Sequence, residues 1–116
     1  MNSGEAADWI IERYPLDSLN SGEAMTVISH LSWKKPDQVR LAEYYLSALP
    51  FANSKPYEVF ASLVPLYKLV DILAKYVPSD DWGKKLLGYH AKSILEGAVK
   101  TPKDRDALQS FIALLG

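Results

Sequence analysis

The chain has 116 residues, 48% of them apolar and 23% charged, with no cysteine and a formal net charge of −1. That length and composition describe one globular domain able to bury a core without staples. They exclude a disulfide framework, a thiolate metal site and a cysteine nucleophile, and they argue against a strongly basic nucleic-acid binder.

The first helix is predicted from about Ser3 to Tyr14. Asn2 provides an N-cap and Glu5, three places on, reaches back in a capping-box pattern. Ala7, Ile10, Ile11 and Tyr14 share its apolar face, and Pro15 enforces its end. The same five residues, Asn-Ser-Gly-Glu-Ala, recur from Asn20 and open a second helix from about Ser21 to Leu31. This helix is expected to bury Ala24, Val27, Ile28 and Leu31. A third starts at Pro36, where a missing N–H costs nothing, turns Val39, Ala42, Leu46 and Leu49 inward and stops before Pro50.

The fourth pattern starts near Pro56, meets Pro65 and resumes as Leu66, Tyr67, Val70, Leu73 and Val77. Proline inside a helical pattern kinks or breaks it, so two packed segments or one bent helix are expected. This most apolar region is expected to be central, with Leu63, Tyr67, Val70 and Leu73 buried. Pro78-Ser79-Asp80-Asp81 caps the next helix, roughly Asp81 to Lys100. Thr101-Pro102-Lys103-Asp104 opens the last one, which buries Leu108, Phe111, Ile112 and Leu115. No period-two run or hairpin turn suggests a strand. The expected fold is all-α: six or seven short helices in a compact bundle or a short stack of antiparallel helical hairpins resembling HEAT or TPR arrays. The 18-residue offset of the repeat is one helix plus one loop, shorter than such a repeat unit.

Chemical signals are sparse. His30 and His90 are sixty positions apart without metal-ligand spacing, so no metal or cofactor is expected. His90 falls between Leu86 and Ile94 and is expected to be enclosed and hydrogen-bonded, in a structural role. Gly83 and Gly88 mimic the gap of a phosphate loop without its lysine or its strand. Gly88 and Gly97 instead read as places where another helix approaches. No nucleophile and base are nominated, so the chain is not expected to be an enzyme.

Charge is unevenly spread: residues 1–30 carry −4, residues 31–60 carry +1 and residues 61–116 carry +2. Glu5, Asp8 and Glu12 form an acidic stripe opposite the apolar face of the first helix, with Trp9 beside it. Glu12 sits in the last turn, where the helix dipole disfavours it and Asp8 repels it. Tyr44 lies on the polar face of its helix, and Trp33, Tyr57 and Trp82 occupy or adjoin loops. Such aromatics anchor protein interfaces or fold back over helix ends.

These features point to a non-catalytic protein-binding module, in the first place a small inhibitor or immunity-type protein that blocks a basic toxin or nuclease. The expected partner-binding residues are Glu5, Asp8, Trp9, Glu12 and Tyr44. The alternatives are an adaptor or homo-oligomeric scaffold subunit, and a helix-turn-helix regulator whose recognition helix would begin at Pro36 with Asp37, Gln38 and Arg40. No stretch reads as a signal peptide or membrane span, so a cytoplasmic, membrane-free protein is expected.

Overall fold

A computed structural model describes residues 2–16, 21–48, 51 and 53–115. Its elements, all helical, are α1 (Ser3–Arg13), α2 (Ser21–His30), α3 (Lys35–Leu46), α4 (Lys55–Leu63), α5 (Leu66–Lys75), α6 (Asp81–Gly97) and α7 (Pro102–Leu114). The fold is all-α, as the periodicity requires.

Local chemistry sets the helix ends. Asn2 caps α1 by accepting the Glu5 N–H at 2.8 Å, while Glu5 reaches back to the Asn2 side-chain amide at 2.9 Å rather than to its backbone. Asp80 accepts the Gly83 N–H at 2.7 Å to cap α6, and Thr101 accepts the Asp104 N–H at 3.1 Å to cap α7. The expected cap at Asn20 and the inward-facing Leu49 lie outside the described residues. Before Pro65 the backbone of Val64 is extended, as the proline ring demands, so α4 and α5 are separate helices.

Each helix packs on the helix two places along: α1 on α3, α2 on α4, α3 on α5, α4 on α6 and α5 on α7. The odd-numbered helices therefore form one layer and the even-numbered ones a second, joined through α3–α4, α4–α5 and α6–α7. The extents of 41 × 31 × 19 Å fit this, since two helix layers lie about 8–10 Å apart between axes. Ile10, Ile28, Leu41, Phe60, Leu73, Leu87 and Leu95 fill the core.

Polar links set the register of the odd layer. Ser3 donates to Asp37 at 2.6 Å and Asp8 pairs with Arg40, joining α1 to α3. Lys75 and the Tyr76 hydroxyl both donate to Glu43, joining α3 to the end of α5. Asp104 joins α5 to α7. It is 5% exposed, and its two carboxylate oxygens accept the Tyr67 N–H at 3.2 Å and the Lys100 N–H at 3.1 Å. The Tyr45 hydroxyl, buried, donates to the Tyr14 carbonyl at 2.9 Å and fixes α3 against the end of α1.

Several sequence expectations are corrected. Leu31 is 45% exposed, because α2 ends at His30 and the chain turns away. Leu63 and Tyr67 are half-buried, whereas Leu66 and Leu69 join Val70 and Leu73 inside. The break at Pro65 resets the helical phase, so the face counted through it is not continuous. Ile112 and Leu115 are likewise only half-buried. Helix α6 stops at Gly97, three residues early.

Of the loop aromatics, Trp33 folds inward and donates to the Ile28 carbonyl at 3.0 Å, and Tyr57 is buried. Trp82 stays outside. The glycine expectation moves too. A Cβ at Gly97 would meet open space and one at Gly88 only an ordinary contact with Leu115. At Gly83, by contrast, it would fall 2.6 Å from the Pro78 Cβ.

Leu73→Ala should cost about 2–5 kcal/mol in denaturant unfolding, as truncations in a filled core do. Asp104→Ala should cost about 1–3 kcal/mol, because it removes the acceptor of two part-buried backbone N–H groups. Gly83→Ala should destabilise through the clash with Pro78, while Gly97→Ala should leave stability unchanged or raise it by up to about 1 kcal/mol. Thermal melts of the two glycine variants separate these signs.

Candidate functional site

The amphipathic build of α1 turns Ala7 and Ile10 inward and leaves Glu5, Asp8, Trp9 and Glu12 exposed. The stripe exists as a surface, but its charge is partly taken up. Asp8 pairs with Arg40 from α3, and Glu5 accepts the amide of Asn2. Glu12 makes no hydrogen bond or ion pair to a described residue. Trp9 is 44% exposed and stands edge-on to Tyr14, with ring centres 6.3 Å apart. Trp9, Glu12 and Arg13 bound a shallow depression of about 280 Å³.

Tyr44 reaches the same pair of helices, one turn along α3 from Arg40. It is half-buried. Its hydroxyl accepts the Leu16 N–H at 3.1 Å and its ring meets Tyr45 edge-on at 4.9 Å. The structure thus brings Asp8, Arg40 and Tyr44 onto one α1–α3 seam, with Tyr44 built into it rather than projecting freely.

The residues named for a recognition helix are also engaged within the chain. Asp37 accepts from Ser3, Arg40 pairs with Asp8, and the Gln38 amide donates to the Trp33 carbonyl at 3.1 Å. His30 donates from Nδ1 to the Thr26 carbonyl at 2.8 Å, a contact within α2. His90 departs from expectation. It is half-buried at the margin of α6, meets the Tyr89 ring edge-on at 4.9 Å, and makes no hydrogen bond to a described residue. The buried stripe of α6 runs through Gly83, Leu87, Ala91 and Leu95, which puts position 90 to one side.

Two larger hollows flank the core. One, of about 380 Å³, lies among Leu16, Met25, Tyr45, Phe51 and Pro56. The other, of about 550 Å³, lies at the α4–α5 elbow beside Lys100, Lys103 and Asp104. There Lys103 sits 4.0 Å from the centre of the Tyr67 ring, and the carboxylate of Asp104 is occupied by backbone N–H groups. In the second, the Ser62 hydroxyl donates to the Val59 carbonyl and the Thr101 hydroxyl accepts the Asp104 N–H. Among the described residues no group of three or more His, Asp or Glu could hold a metal ion, and no helix is long and apolar enough to cross a membrane.

Sequence reasoning passed over Tyr89, which at 81% is the most exposed large hydrophobic residue described, with Trp82 next at 73%. The signal was present as their seven-residue spacing on the polar side of α6. Comparison of the chain with protein-family models, curated proteins and solved structures finds no match.

Five groups carry shifted pKa values, Lys75 and Tyr76 both raised through their contact with Glu43. The Lys75 ammonium, aided by the Tyr76 hydroxyl and opposed by burial, holds the Glu43 carboxyl below its ordinary 4.5. Burial raises the Tyr45 phenol, helped by Tyr44 and Tyr14, and pushes the Tyr57 phenol up to about 12 against the N–H of Phe51. A lowered carboxyl contributes stability above pH 4.5 that is lost as pH falls through its folded value. Raised phenols contribute stability below pH 10 that is lost as pH rises from 10 through about 12. Unfolding followed against pH should therefore show both declines. Glu43→Gln should flatten the acid limb and Tyr45→Phe part of the alkaline one.

Proposed function

We propose that the chain is a non-catalytic protein-binding module of the small inhibitor or immunity type, docking a basic partner such as a toxin or nuclease on the outer face of α1. The observation that carries this reading is the depression between Trp9 and Glu12. An accessible indole and Arg13 lie beside a carboxylate that makes no ion pair with a described residue. Tryptophan is among the residues most enriched as interface anchors. The carboxylates Glu5 and Asp8 extend the acidic surface along the helix, and Asp8, held by Arg40, serves more as a fixed rim than as a free charge. Tyr44 supports the seam from below. A cysteine-free chain is suited to a reducing cytoplasm.

The test uses the product of the adjacent gene as partner. Its affinity for the intact chain should fall with salt, since exposed charges are screened over about 8–10 Å near physiological ionic strength. Glu12→Lys and Trp9→Ala, both at solvent-facing positions, should each weaken binding about tenfold or more with an unchanged helical spectrum. Unchanged affinity in both variants would remove α1 from the interface.

A further inference from the structure

Helix α6 displays a repeated pair of residues that its packing does not use. Its buried stripe, Gly83, Leu87, Ala91 and Leu95, faces α4 and α7. On the opposite side Trp82 is followed at three residues by Lys85. Seven residues after Trp82, Tyr89 is followed at three residues by Lys92. All four are exposed, Trp82 by 73% and Tyr89 by 81%. Seven residues are nearly two turns, so the two aromatics stand about 10.5 Å apart along the helix in almost the same direction, with the lysines in a parallel row.

We propose that this face docks an acidic amphipathic helix of a partner protein, laid along α6 with apolar residues against Trp82 and Tyr89 and carboxylates against Lys85 and Lys92. Charge supports that occupant. On this face, between Trp82 and Ser93, the helix carries the exposed Lys85 and Lys92 and no carboxylate, with Glu96 seven residues beyond Tyr89. Neither ion pair found among the described residues involves these lysines. The heptad spacing supports a helix, since residues seven apart line one seam between two aligned helices.

A second copy of the chain fits less well. A two-fold pairing that set Trp82 of each copy against Tyr89 of the other would centre between positions 85 and 86 and bring Lys85 against its own counterpart. The face is also prepared for docking. The cap from Asp80 and the close approach of Pro78 to Gly83 fix the backbone beside Trp82, and His90 backs the Tyr89 ring at 4.9 Å. The inference is independent of the role given to α1.

The test uses the full chain and three labelled probes: a helical peptide with Leu and Glu in heptad positions, the same peptide with Lys for Glu, and a single-stranded oligonucleotide. Fluorescence anisotropy should show binding of the acidic peptide and none of the basic one. A Lys85→Glu/Lys92→Glu variant should lose about tenfold or more in affinity, as should Trp82→Ala/Tyr89→Ala, while Glu12→Lys should not. Because these positions face solvent, circular dichroism should be unchanged in every variant. Failure of the acidic peptide to bind overturns the proposal. So does preferential binding of the oligonucleotide, which would make the face a stacking platform. A concentration-dependent dimer abolished by Trp82→Ala in sedimentation would overturn it in favour of self-association.

Discussion

Asp104 ties together the two helices on which the closing half of the fold is built. Its carboxylate stands in the first turn of α7 and accepts the N–H of Tyr67 in the first turn of α5, so one negative charge serves two positive helix ends. Its other oxygen secures the chain at Lys100 before α7 begins. A buried acceptor of this kind is costly to remove, whereas the exposed pairs Asp8–Arg40 and Glu43–Lys75 are screened by solvent and contribute little. The same layer thus has one strong polar lock near its end and lighter ones toward its start. In the other layer Lys55 reaches Thr26 at 3.2 Å between α2 and α4, and no other side-chain hydrogen bond joins two of its helices among the described residues.

What the sequence made legible was local. Caps at Asn2, Asp80 and Thr101 act within four residues, and the proline at position 65 acts on its immediate neighbour, so the local pattern of residues placed the helices. What it concealed depended on how the backbone brings residues together. Asp104 reads as an ordinary first-turn acid until Tyr67, 37 positions earlier, is brought to it. Gly83 and Gly97 are indistinguishable as letters, and the crowding of Pro78 and Asp80 around Gly83 separates them. Leu31 had the right spacing for burial but lies past the end of its helix.

The candidate surfaces divide in the same way. The stripe of Glu5, Asp8, Trp9 and Glu12 follows from the amphipathic period of α1 and needs no tertiary information. That Arg40 claims Asp8, and that Tyr44 is fastened to Leu16, comes from α3 and could not be read locally. On α6 the positions Leu86, His90 and Ile94 suggested an apolar face one step round from the true one. Only the observed burial of Leu87, Ala91 and Leu95 frees Trp82 and Tyr89 to be recognised as a repeated feature.

Packing each helix on the one two places along gives the molecule unequal resistance to opening. Helices α4 and α5 are held on several sides, while α1 and α2 each lean chiefly on a single neighbour. Amide hydrogen exchange should reflect this as a gradient, slowest in the middle helices and fastest in the first pair, through partial openings that leave α4 to α7 assembled. A protein seated on α1 would restrain that lower-cost opening before it touched global unfolding. Its footprint in exchange would then extend into α3, which α1 covers, beyond the side chains it contacts.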